Sequence, residues 1–178
     1  MKKIIMILLT IMSSFAFAGG HEPLQTVKHV DLERYIGKWY EIARFDQKFQ
    51  KNCTAVTATY SKRRDGDIKV LNTCRLYNPT GKSKQSIGRA WVNDKVSNAK
   101  LRVQFFLIRF RINSLAGNYW IIELDQENYS YAVIGDPTRR YLWILSRSPQ
   151  MEEGMYNELV TRARGHGFDT SKLLITPH

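Results

Sequence analysis

From residue 38 to residue 147 the chain is a near-regular succession of short segments rich in β-branched and aromatic residues, and most are cut off by Gly, Asp, Asn or Pro. The segments are 38–45, 53–62, 67–76, 85–93, 99–107, 118–125, 130–135 and 141–147. "RRDGD" (63–67) is a hairpin turn, because Asp-Gly accepts positive φ at little cost. "YNPTGK" (77–82) and "GDPTRR" (135–140) are turns built on proline. Eight strands at this spacing predict an all-β antiparallel barrel or sandwich.

One segment breaks the period of two. Met151, Met155, Leu159 and Ala163 recur every four residues, which predicts a helix with one apolar face. Ser148 is its expected N-cap and Pro149 its first residue, with Glu152 and Glu153 at the positive end of the dipole. Such a helix, following the last long strand, must pack outside the sheet. Residues 172–175 then suit a short edge strand.

Residues 1–18 read as a cleaved secretory signal peptide: Lys2 and Lys3, an apolar run, and Ala16-Phe17-Ala18 as cleavage site. The run is too short for a membrane-spanning helix, which needs ~20 apolar residues. No cysteine follows the cut to take a lipid, so a periplasmic product is expected, with association to the outer membrane left open. Residues 19–178 suit one domain. The net charge is +11, or +9 without Lys2 and Lys3, which favours an anionic ligand or an anionic membrane surface; export argues against nucleic acid. In an oxidising compartment Cys53 and Cys74 are expected to pair, closing a loop of about 20 residues and contributing ~3 kcal/mol on chain-entropy grounds. The competing reading keeps Cys53 as a free, reactive thiol.

The stretch "GKWYEIARF" (37–45) resembles the first signature of the lipocalin family, a short 3₁₀ turn leading into Gly-x-Trp-Tyr. "ELDQENYSYAV" (123–133), from Leu124-Asp125 to Tyr129, is similar to the second, and Arg147 in "YLWILSRSP" to the third. The likeness spans nearly all of residues 19–178 and is greatest to the bacterial outer-membrane, apolipoprotein D-like group. It implies an eight-stranded up-and-down calyx with one C-terminal helix outside. It further implies that Arg147 crosses Trp39 at the closed end, a cation–π contact of ~1–2 kcal/mol, with Gly37 letting the backbone pass. Those three are structural.

Strand alternation then assigns the lining. With Trp39 inward, Glu41 and Ala43 follow, and Tyr40 and Ile42 face the helix. Val56, Ala58 and Tyr60 share one face, as do Ile68, Val70 and Asn72, and Leu101, Val103 and Phe105, leaving Arg102 and Gln104 outside. Trp120 and Ile122 are expected inward because Glu123 prefers water, and Trp143 shares Arg147's parity. The expected ligand-binding set is thus Ala43, Ala58, Tyr60, Val70, Val103, Phe105, Trp120 and Trp143. Cys53 and Cys74 do not fit this register unless a bulge intervenes or Cys53 lies just before the regular strand. In the family topology the loops at the mouth carry Arg109, Arg111, Arg139 and Arg140, a cationic rim suited to a carboxylate or phosphate. "FFLIRFRI" (105–112) reads either as continued strand or as a segment that dips into a headgroup layer.

An enzyme needs convergent titratable groups. His21, His29, His166 and His178 lie near the chain ends or the helix end, no metal-ligand spacing occurs, and no cofactor is implied. The reading is a carrier for fatty acids, lysophospholipids or similar amphiphiles in envelope maintenance, as a monomer or homodimer. The alternative is an isomerase-type enzyme built on a free barrel cysteine.

Overall fold

A computed structural model describes residues 22–178; the expected signal peptide lies outside the described residues. A one-turn helix, α1 (Leu32–Tyr35), leads into β1 (Gly37–Phe45), β2 (Cys53–Lys62), β3 (Ile68–Leu76), β4 (Ser83–Val92) and β5 (Lys100–Gln104). Then come β6 (Gly117–Leu124), β7 (Tyr131–Gly135), β8 (Leu142–Ser146), the helix α2 (Glu153–Gly165) and β9 (Leu173–Ile175). From β1 to β8 each strand pairs antiparallel with the next, β1 closes the ring against β8, and β9 adds to the free edge of β1. The first turn is α-helical rather than 3₁₀, and Asp31 caps it by accepting from the Glu33 amide at 2.9 Å.

The helix starts later than Ser148 and Pro149 suggest. Ser148 instead closes a local turn to the Gln150 amide, the chain bends at 147–149, Glu152 is still extended, and Met151 packs on the barrel. Leu159 and Ala163 are fully buried beneath α2 against Ile122, Val133, Leu142 and Ile144, so a second apolar core lies outside the ring. The first core fills the lower barrel around Trp39, Ile121, Ile134 and Leu145.

Near the mouth the ring is completed by the C-terminus. Strand β1 pairs with β2 only from Gly37 to Tyr40, and β9 then takes over that edge from Ala43 to Phe45. The Ala55 amide donates to the Pro177 carbonyl at 2.6 Å, tying β2 to the same tail. Ala55 sits at φ 44° inside a register shift between Thr54 and Thr57. That bulge answers the register conflict: Cys53 faces Leu76, and the Cys53–Cys74 disulfide runs diagonally across the pair with Cα atoms 5.4 Å apart. With both sulfurs joined, the free thiol required by the enzyme alternative does not exist.

Candidate ligand-binding cavity

Trp39 plugs the closed end of the barrel, fully buried, its indole N–H donating to the Tyr35 carbonyl at 2.8 Å. The Arg147 guanidinium carbon lies 3.9 Å from the indole centroid. Its N–H groups donate to the carbonyls of Arg34, Lys38 and Ile36 at 2.7, 2.9 and 3.0 Å, so one side chain ties α1 to β1 and covers the plug. Gly37 makes this approach possible. It adopts φ 104°, and a Cβ there would lie 3.1 Å from the Arg147 Nη1.

Above the plug is a cavity of about 510 Å³. Its wall is formed by the inward rungs of β2 (Val56, Ala58, Tyr60), β3 (Ile68, Val70) and β5 (Leu101, Val103), with Phe105, Trp143 and Leu145. Six of the eight residues assigned from alternation, Ala58, Tyr60, Val70, Val103, Phe105 and Trp143, therefore face this space.

Ala43 and Trp120 do not. In β1 the register slips between Glu41 and Ala43, and the extra residue turns Ala43 outward beneath α2, where it is fully buried. In β6 a second slip between Ile121 and Glu123 sets Ile122 and Glu123 on the same outer side. Trp120 then packs against the outer core with the Lys100 ammonium 4.7 Å from its ring, while Tyr119 and Ile121 point in. Glu123 does avoid the barrel interior, but its partners are on the helix: His166 at 2.8 Å and Arg162 at 3.2 Å.

The cationic rim is also redistributed. Arg140 lines the mouth beside Thr138, Tyr141 and Phe49. Arg139 turns back to donate to the His166 carbonyl at 2.9 Å, pinning the β7–β8 loop to the end of α2. Arg111 reaches down the outside of the barrel to Asp67, and the Arg109 carbonyl accepts from Arg89 at 2.8 Å. Residues 105–112 continue no strand, since β5 ends at Gln104. Gln104 is nearly fully buried under the loop it organises, its amide donating to the Leu107 and Phe110 carbonyls at 3.2 Å and accepting from Ile112 at 2.8 Å.

Two polar networks of the cavity extend beyond the residues that alternation assigned to ligand binding. Glu41 is held in the wall by Arg44 at 3.1 Å, Thr176 at 2.7 Å and Gln50 at 2.7 Å, and Gln50 in turn accepts from the Trp143 indole at 3.1 Å. At the floor the hydroxyls of Tyr35, Tyr119 and Tyr60 form a chain with O···O distances of 2.8 and 2.9 Å. Tyr35 stands four residues before Trp39, a helical spacing that could have flagged it; Tyr119 was hidden by the inverted parity of β6.

Burial pushes all three tyrosines above their usual range, Tyr60 to about 12 from 10.0. Below pH 10 these groups are protonated whether the chain is folded or not. Above it the unfolded chain releases protons that the folded one keeps, so stability falls as pH rises from about 10 through about 12. The loss from Tyr60 alone is on the order of 2–3 kcal/mol. Tyrosinate absorbance in an alkaline titration should therefore rise late and together with unfolding; early, non-cooperative ionisation of all tyrosines would refute the buried chain.

The family described as the lipocalin-like domain matches residues 30–178. The chain is 37% identical over 175 residues to the Vibrio cholerae outer membrane lipoprotein Blc, covering 98% of this chain and 97% of that one. It is 44% identical over 156 residues to temperature-induced lipocalin-1 of Arabidopsis thaliana, covering 86% and 82%, and 31% identical over 193 residues to mouse apolipoprotein D, covering 99% and 95%. Among solved structures, insecticyanin of the tobacco hornworm superposes with a TM-score of 0.68 at 19% identity, covering 91% of this chain and 88% of that one. A closed barrel plugged by Trp39 under Arg147, an outer helix and relatives matched over almost their whole length agree: the chain belongs to the lipocalin family.

Proposed function

We propose that the protein binds and carries a fatty acid, a lysophospholipid or a similar amphiphile in the periplasm, with residues 1–18 removed on export. The observation that supports this is the cavity itself: about 510 Å³, apolar over most of its wall, closed below and open at a mouth that carries Arg140. Burying an acyl chain there provides ~25 cal/mol per Å² of apolar area before ordering costs, and Arg140 selects an anionic head. The protein works by equilibrium binding, without a catalytic group.

The loop after β5 supports a membrane-surface role in delivery. Phe106 and Phe110 are 74% and 63% exposed, with Leu107 and Arg109 between them, at the edge of the same mouth. Apolar side chains flanked by cations suit the boundary of an anionic bilayer.

Trp143 should report occupancy. Titrating delipidated protein with oleate, below its critical micelle concentration, should quench fluorescence saturably. Trp143→Phe should remove most of the signal and Trp120→Phe should leave it, since Trp120 lies outside the ring. Arg140→Gln should weaken oleate roughly three- to tenfold at low salt and less at high salt. Quenching that survives in Trp143→Phe but vanishes in Trp120→Phe would place the ligand on the outer face and sink the proposal.

A further inference from the structure

The tyrosine chain at the cavity floor leaves a donor unused. Three phenol groups carry three hydroxyl protons, and the two O···O contacts at 2.8 and 2.9 Å consume two of them whichever way each bond runs. Among the described residues these hydroxyls make no other hydrogen bond, so one proton is left to face the cavity that all three side chains line. An apolar methyl end set against that floor would keep the donor unsatisfied, which costs about 1–3 kcal/mol.

Charge decides what kind of acceptor fits. Two charges act on Tyr60 and each already has partners, the Arg147 guanidinium and the Glu41 carboxylate. The carboxylate is neutralised by Arg44 at 3.1 Å, which also donates to the Thr176 hydroxyl at 3.1 Å. Arg147 lies behind the Trp39 indole, with its N–H groups taken by backbone carbonyls. An inserted carboxylate or phosphate would find the Arg147 N–H groups already taken by carbonyls, whereas a neutral oxygen needs only the unused phenol donor.

The geometry points to a second polar subsite formed by Tyr35, Tyr60 and Tyr119, which receives a hydroxyl or keto oxygen from the buried half of an amphiphile whose anionic head stays at the mouth. The ligand class is then an oxygenated acyl chain rather than a plain one. This rests on the carrier reading above. The inward rungs from Val56 to Tyr60 span about 13 Å at ~3.3 Å per residue, so the floor lies well below the head and meets the distal part of the chain.

Oleate and ricinoleate differ by one hydroxyl in the distal half of the chain, and both can be titrated against Trp143. In the unaltered protein ricinoleate should bind at least as tightly as oleate. In the triple variant Tyr35→Phe/Tyr60→Phe/Tyr119→Phe, which removes every floor hydroxyl and keeps the ring shapes, ricinoleate should become about tenfold weaker than oleate, because its hydroxyl is then buried without a partner; in Tyr60→Phe/Tyr119→Phe, where the Tyr35 hydroxyl remains, the ratio should fall only about threefold. The readout is the ricinoleate-to-oleate affinity ratio within each protein, which cancels any effect of the altered wall on the acyl chain itself. Two variants guard against one of them failing to fold. Ricinoleate weaker than oleate by the same factor in all three proteins would overturn the subsite while leaving the carrier intact. Binding of neither lipid to the unaltered protein would overturn both.

Discussion

Trp39→Ala is expected to lower the thermal midpoint by about 10–20 °C, the larger of two tryptophan effects in this barrel. Removing a fully buried indole typically costs about 3–5 kcal/mol, through lost transfer energy and the cavity left behind. Here two further losses follow. The Tyr35 carbonyl loses the indole N–H at 2.8 Å, and the guanidinium 3.9 Å away loses the ring face over which it lies. Native domains are stable by only 5–15 kcal/mol, so the variant should be partly unfolded at physiological temperature. Trp143→Ala is the control. That side chain already borders empty space, so its removal enlarges a cavity rather than creating one and should shift the midpoint by only a few degrees. Calorimetry or circular dichroism on both variants checks this; equal shifts would mean that Trp39 is wall rather than plug.

The plug was legible because its signature is local: Gly37 and Trp39 lie within three residues, and only Arg147 comes from afar. The strands were legible for a related reason, since turn residues and β-branched runs act over a few positions. The helix, the terminal strand and the disulfide followed from periodicity, length and compartment. What alternation could not carry was parity past a bulge. Ala43 and Trp120 each lie within two residues of a register slip, and one inserted residue reverses every face beyond it. Nothing in "YEIARF" or "WIIELD" marks the slip. Glu123 misled for a physical reason. A carboxylate needs partners rather than water as such, and His166 and Arg162, some forty residues on, supply them. Arg111 and Arg139 turn away from the mouth while Arg140 lines it, because charge count says nothing about which acid or carbonyl a long side chain will find.

Asp67→Ala is expected to cost about 3 kcal/mol, and it is the variant that tests how the loop beside the mouth is held. Asp67 is almost wholly buried at the foot of β3, where it accepts from both Arg89 and Arg111. The Arg89 side chain is only 8% exposed, and it also donates to the Arg109 carbonyl at 2.8 Å. Removing the carboxylate leaves a buried cation with one remaining acid, Asp65 at 3.2 Å, which is itself 42% exposed and a weaker partner. Arg111→Gln, by contrast, removes a half-exposed partner and should cost no more than about 1 kcal/mol. The double change Asp67→Leu with Arg89→Met should recover most of the stability, because an apolar pair of similar size needs no desolvation. The same ion cluster anchors residues 108–111 through backbone and side chain, so releasing it should expose the bonds after Arg109 and Arg111 to trypsin. Limited proteolysis of Asp67→Ala should therefore cut first in this loop, well below its unfolding temperature. If the loop stays as resistant as in the unaltered protein while stability falls, Gln104 and Arg102 suffice to hold it, and the ion cluster only clamps the outer wall of the barrel.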